Sequence, residues 1–278
     1  MKIAIVYISP NKTTQKVSRE LARLFTADNH TVAEVDLGRK EHRDRRNIDL
    51  NVFADADIMG FGSPVFHMKI LPPMAGFLDE ALPQIKRMNR SARAFVYLTY
   101  GGTTTGKSFT NMVDPLKRNQ IPIMGGFKVC APHFWHTENY PYKETLWTIN
   151  DFYAAVKKGG FQELEWSKVN EFCSNQKPII KAFYPLMGAL RKLRGMPEIK
   201  YDRSNCVKCK KCLNECPVSA IEMIDFPIRD LHRCVYCYHC ALACPKGAIT
   251  YSLEDVEKRI EENQRIVGLE RPRNAFYV

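Results

Sequence analysis

Cysteine is nearly absent from the first two thirds of this chain. Of ten cysteines in 278 residues, only Cys130 and Cys173 precede position 206, and a lone cysteine with no ligand spacing around it reads as a packing residue. Long hydrophobic runs are missing too. Ile3-Ala4-Ile5-Val6-Tyr7-Ile8 gives way at once to Ser9-Pro10-Asn11-Lys12, too short and too quickly polar for a signal peptide or a membrane span. The expectation is a cytoplasmic protein with no transmembrane segment. No G-x-G-x-x-G loop occurs, which disfavours direct nicotinamide binding by a Rossmann domain. Acidic residues are in deficit, 30 against 41 Lys plus Arg, for a formal charge of +11.

The remaining cysteines are concentrated. Cys206-x2-Cys209-x2-Cys212-x3-Cys216-Pro217 recurs 28 residues later as Cys234-x2-Cys237-x2-Cys240-x3-Cys244-Pro245. This is a ligand pattern for two 4Fe-4S clusters, in which the fourth cysteine of each run ligates the other cluster. One cluster takes Cys206, Cys209, Cys212 and Cys244, the other Cys234, Cys237, Cys240 and Cys216. Zinc and disulfides fit the spacing poorly, because structural zinc uses two separated Cys pairs rather than three cysteines at successive x2 intervals. The repeat runs past the ligands, with Pro217-Val218-Ser219-Ala220-Ile221 matching Pro245-Lys246-Gly247-Ala248-Ile249. Each half supplies too little apolar surface to fold alone, so the halves share a core that the clusters staple. Reduced thiols and oxygen-sensitive clusters suit a reducing compartment, in an organism living partly or wholly without oxygen.

These features divide the chain. Residues 198–252 form a small cluster-binding domain, and residues 1–176 are long enough for an independent core. Between them lies a basic amphipathic connector, 177–197, and a C-terminal helix and tail occupy 253–278. Residues 177–211 hold ten Lys or Arg against two acids, Glu198 and Asp202. Such a stretch suits an anionic membrane surface, nucleic acid or an acidic electron carrier, and a solvated linker face has the same composition. Within it, 178–194 carries Ile179, Phe183, Leu186, Leu190 and Leu193 among basic residues. That pattern fits a membrane surface, but an internal connector packed across a domain boundary is the commoner case, and nucleic acid is not expected as a partner.

The first domain alternates strands and helices. Residues 2–8 read as a buried strand, and Val17, Leu21 and Leu24 mark one face of a following helix. Further strands are predicted over 31–35, 57–62, 94–99 and 127–130, with helices over 69–82 and 143–176. This order argues for a doubly wound, five-stranded parallel sheet covered on both faces, followed by the small α+β cluster domain. In such sheets ligands bind outside the carboxyl ends of strands, which singles out loops 9–14, 62–68 and 99–107. Ser9, Asn11, Lys12, Thr13 and Thr14 offer hydroxyls, a charge and backbone amides at a helix N-terminus, a favourable place for a phosphate and equally for local capping.

The three loops together resemble those of flavodoxin. Ser9, Asn11, Thr13 and Thr14 stand where that family places side chains around the FMN phosphate, with Lys12 at a position that is commonly glycine. Gly62-Ser63-Pro64-Val65-Phe66 resembles a second family turn, implying that Phe66 or His67 lies near the flavin face. Thr99-Tyr100-Gly101-Gly102 resembles the third loop. A flavodoxin-like domain followed by a dicluster ferredoxin-like one resembles the flavodoxin-ferredoxin fusion proteins of anaerobic bacteria and archaea, and implies FMN beside the two clusters. The segment Phe134 to Tyr140 is either a further loop over the cofactor or a cover for the core.

A rival motif shares the third loop. Gly101-Gly102-Thr103-Thr104-Thr105-Gly106-Lys107-Ser108 satisfies G-x4-G-K-[ST] and follows a predicted strand. A P-loop would set Lys107 on terminal phosphates and Ser108 on magnesium, making the chain an ATPase or GTPase carrying clusters. No later apolar strand ends in an Asp that would hold the metal. Under the flavin reading, the chain is an electron-transfer module working with a redox partner protein. The same cofactors serve a reductase passing electrons to a small-molecule acceptor, with Tyr100, His67 or His136 giving a proton. A redox-sensing regulator is the third class. Lys208, Lys210 and Lys211 should raise the potential of the nearer cluster.

Overall fold

The computed structural model describes residues 1–134, 137–159, 164–166, 168–169, 196–269 and 273–278. Along the first domain run β1 (Lys2–Tyr7), α1 (Thr13–Ala27), β2 (Thr31–Asp36), β3 (Ile58–Phe66), β4 (Lys69–Ile70), α2 (Pro72–Met88), β5 (Arg93–Tyr100), α3 (Ser108–Arg118), β6 (Ile123–Cys130) and α4 (Lys143–Lys158). The parallel strands lie in the order β2-β1-β3-β5-β6, the flavodoxin-like doubly wound arrangement, whose order reverses between β1 and β3. Period-two alternation splits β1 between two cores: Ala4 and Val6 face α2 and α3, while Ile3, Ile5 and Tyr7 face α1 and α4. Because both faces are covered, the strands read as continuous apolar runs.

The cysteine-rich domain contains β7 (Lys200–Tyr201), α5 (Lys211–Glu215), β8 (Ile221–Met223), β9 (Pro227–Arg229), α6 (His239–Leu242) and β10 (Ile249–Thr250). β7 pairs with β10, and β8 with β9, both antiparallel. α7 (Leu253–Val267) follows, opened by Ser252, whose hydroxyl accepts the Asp255 amide at 3.1 Å. The chain then returns to the first domain. β11 (Ala275–Tyr277) pairs antiparallel with β6, and the Tyr277 ring sits edge-on to Phe109, 6.0 Å between centroids.

The central sheet therefore exceeds the five predicted strands by two antiparallel additions, β4 and β11. β3 also outruns the predicted end at Gly62. Its pairing with β1 stops at Tyr7 opposite Gly62, so the missing N–H of Pro64 costs no hydrogen bond on that side, while the β5 side continues to Thr99 opposite Pro64. β6 begins earlier than predicted and passes through Gly125 at φ 146°, where an added Cβ would lie 2.3 Å from the Tyr277 carbonyl. Of the predicted 143–176 helix, α4 accounts for the part to Lys158. Residues 170–176, Cys173 and the amphipathic connector 178–194 lie outside the described residues. No helix among the described residues is long and apolar enough to cross a membrane.

Candidate functional site

Left-handed backbone frames the cysteine unit. Lys208, Lys210 and Ser219 in the first half, and Tyr236, Tyr238 and Gly247 in the second, have φ between 50° and 59°, and each pair is 28 residues apart. That conformation costs an L-residue roughly 1–2 kcal/mol, so five such non-glycine residues mark loops bent around something else. The bends turn amides onto sulfur: Ala220 N–H donates to Cys216 Sγ at 3.2 Å, Ala248 N–H to Cys244 Sγ at 3.3 Å, and Tyr236 N–H to Cys234 Sγ at 3.4 Å. Hydrogen bonds to thiolate sulfur are one means of setting a cluster potential.

The eight thiols sort into two crossed groups. A small pocket is lined by Cys206, Cys209, Cys212 and Cys244, with Met223, Phe226, Pro227 and Ile249 as apolar wall. Burial pushes the Cys212 thiol up, and Cys209, Cys244 and Cys206 add to it. Burial also raises Cys237, with Cys216, Cys240 and Cys234 adding, and lifts Cys240 to about 12, Cys216 and Cys234 contributing next. Thiols packed this way resist ionisation until a positive centre joins them, which is what iron supplies. Among the described residues no three His, Cys, Asp or Glu side chains converge tightly enough for a single metal ion. The first group borders a pocket.

The first strand-end loop has the makings of a phosphate site. Lys12 adopts φ 62°, ψ −1°, the left-handed conformation that the usual glycine supplies in this position of related loops. α1 then opens with no side-chain cap, and the buried Asn11 Oδ1 has no hydrogen-bond partner. Ser9 Oγ accepts the Gln15 amide at 3.0 Å. Thr13 and Thr14 are buried, and the hydroxyls of Thr14 and Thr99 are 2.7 Å apart, so that pair ties loop to strand.

The other two loops sit deeper than their sequences suggest. Ser63 and Pro64 are buried inside β3, and Ser63 Oγ donates to the Pro64 carbonyl and accepts the Leu71 amide. Val65 and Phe66 are half-buried, and the chain turns at His67 and Met68, both left-handed, with His67 exposed. Tyr100 is buried and its hydroxyl donates to the Arg273 carbonyl at 2.7 Å. Gly101 and Gly102 carry His133 and Arg273 where a Cβ would stand. Burial drops His133 to about 4, keeping it neutral. Trp135 and His136 lie outside the described residues.

The P-loop pattern is occupied by other contacts. The Lys107 amide donates to the Met68 carbonyl at 2.9 Å and the Ser108 amide to the Thr105 carbonyl at 3.0 Å. Met68 stands 2.3 Å from where a Cβ on Gly106 would be. Amides that would cradle a phosphate thus face carbonyls.

Among the described residues, contacts that no motif foreshadows join the domains. Phe134 packs on Tyr238 and Tyr251, with centroids 4.9 and 5.4 Å away. Val235, between two ligands of the second group, packs against the first domain's core. Arg43 caps α5, donating to the Leu213 carbonyl at 2.8 Å and to that of Asn214; its burial lowers the guanidinium's pKa, and Cys216 and Glu215 oppose that. The second group therefore lies on the side of the first domain.

Residues 205–249 match the 4Fe-4S dicluster domain family. No curated protein matches the chain. Among solved structures, a flavodoxin from the domain Archaea is 18% identical over 56% of this chain and 99% of that one, with a TM-score of 0.44. Oxidised flavodoxin 1 from Bacillus cereus is 14% identical over 58% and 99%, TM-score 0.45. Rubredoxin oxygen:oxidoreductase from Desulfovibrio gigas is 19% identical over 56% of this chain and 35% of that one, TM-score 0.42. Strand order and cysteine grouping define the class: a flavodoxin-like α/β domain joined to a 4Fe-4S dicluster domain.

Proposed function

We propose that the chain is an iron-sulfur flavoprotein that transfers electrons between two 4Fe-4S clusters and an FMN. The observation that carries it is the crossed grouping of eight thiols, with one group set against the first domain through Val235, Phe134 and Arg43. Bound clusters and flavin supply one-electron and two-electron exchange. Cys206, Cys209, Cys212 and Cys244 would hold one cluster, and Cys234, Cys237, Cys240 and Cys216 the other. For the flavin, the start of α1, where Lys12 supplies no side-chain cap, with Ser9, Asn11, Lys12 and Thr13 would hold the phosphate, and the 66–68 and 101–103 segments would border the ring.

For the reductase form of this function Tyr100 is a poor proton donor, because its hydroxyl already donates to a carbonyl, whereas His67 is exposed. The nucleotide reading has less support, given the carbonyl-bound amides of Lys107 and Ser108. The test is iron, acid-labile sulfide, flavin and nucleotide per chain in protein purified without oxygen. About eight iron, eight sulfide and one FMN is the expected result. Eight iron with bound ATP or GTP and no flavin would overturn it.

A further inference from the structure

One cysteine group lies deeper than the other, with Cys216, Cys237 and Cys240 buried and Cys234 half-buried. Of the eight ligands Cys209 alone is exposed. Beside it Val207 is 58% exposed, and Lys208, Lys210, Lys211 and Lys246 all reach solvent. Lys210 and Lys246 line the cavity of this group, and no carboxylate does. Of the neighbouring acids, Glu222 pairs with Arg233, Glu215 lies 3.4 Å from His239 and Asp202 accepts from Ser204 and Asn205, while Asp225 is exposed beside the Met223–Phe226 wall, so four lysines face fewer unpaired carboxylates at this rim. In the second half the corresponding places hold Tyr236, Tyr238 and His239, and Tyr238 is covered by Phe134.

We infer that the Cys209 rim is the docking port for a separate one-electron carrier protein with an acidic face. The inference rests on the electron-transfer reading above. A small apolar centre collared by one sign of charge steers an oppositely charged partner and fixes its approach. Placing the collar around the single exposed ligand brings that partner's redox centre to the cluster edge. The reduced carrier gives up one electron and is oxidised by one; the chain is reduced by one, with no bond made or broken. A lipid surface or nucleic acid would meet the same charge but carries no electron, so the exposed ligand at the centre of the collar favours a redox protein.

The test uses the full chain with clusters loaded and an acidic two-iron ferredoxin as probe. Affinity is measured by titration and electron transfer by stopped flow, both across a salt series. The variant is Lys208→Glu/Lys210→Glu/Lys211→Glu, and Arg87→Glu/Arg90→Glu/Lys117→Glu, at exposed positions by the C-terminal ends of α2 and α3, is the charge-matched control. For the wild type and the control, binding and rate should fall with salt. The triple variant should lose about 10- to 1000-fold in association rate at low salt and its salt slope should flatten, while dithionite still fills the same number of electrons. A triple variant with wild-type affinity and slope overturns the port. So does one whose cluster potential falls while affinity and slope hold, which assigns the lysines to the cluster alone. So does binding to phosphatidylglycerol vesicles with none to the ferredoxin. Failure of dithionite electrons to reach flavin would sink the proposed function instead, and the affinity measurement stands apart from it.

Discussion

Lys210 and Tyr238 hold equivalent places in the two halves of the cysteine unit, at φ 59° and 55°. Lys210 is exposed, whereas Tyr238 is 1% exposed, packed at a tilt against Phe134 and Tyr251, and donates its hydroxyl to the Pro197 carbonyl at 2.9 Å. Ser219 and Gly247 likewise share a backbone bend with different residues. Backbone and ligand spacing were duplicated together, because both are needed to wrap a cluster. The residues between the ligands diverged according to what each half faces, solvent on one side and the first domain on the other.

The comparison breaks most completely when the metal is removed. Chelation should unfold residues 198–252 while the first domain keeps its structure, since the cluster unit lacks a core of its own size; proteolysis followed by mass mapping reads this out. Cys237→Ser, at a fully buried ligand, should take iron well below half of its starting content. Cys209→Ser, at the exposed rim, should leave the second cluster's signal in place by electron paramagnetic resonance. Equal iron loss in the two variants would erase the distinction between the deeper and the shallower site.

Side-chain exchange at the equivalent bend should cost less. Tyr238→Ala is expected to destabilise the cluster domain by about 3–5 kcal/mol through the cavity it leaves, and Lys210→Ala by no more than about 0.5 kcal/mol, both measured by anaerobic denaturant titration. At the third bend the two halves should respond with opposite sign. Gly247→Ala should destabilise by about 1 kcal/mol, because it puts a Cβ on a left-handed residue, and Ser219→Gly should stabilise by somewhat less. The smallest effect is electrostatic. Replacing Lys208, Lys210 and Lys211 with Gln should lower the midpoint potential of one cluster and leave the other, as followed by redox titration.

Much of the site was legible because ligand chemistry writes itself into spacing. The 4Fe-4S dicluster domain matched over residues 205–249 needed nothing beyond the x2, x2, x3 runs and the proline that follows each. The parallel sheet was legible for a related reason, since strands buried on both faces leave continuous apolar runs. What escaped was either short or set by a distant neighbour. β11 is three residues, too few to show a period. The strand predicted over 127–130 in fact starts at Ile123 and runs through Gly125, the place where that tail lies close. Ser63-Pro64 read as a turn, because nothing local says that β1 has already ended beside it. Arg43 and Phe134 carry no motif; they matter only once the domains meet. Lys12 was the opposite case, a residue at odds with its loop by type that the backbone accommodates in the left-handed region.

β11 has a consequence for how the chain matures. The edge of the first sheet is finished by residues 275–277, which a ribosome makes after the entire cysteine-rich unit. The cluster domain is thereby an insertion within the first domain's sheet-forming chain, enclosed between β6 and the strand that borders it. Until synthesis passes that point the β6 edge stays uncapped, so the first domain's sheet closes only after the whole cysteine-rich unit has been made.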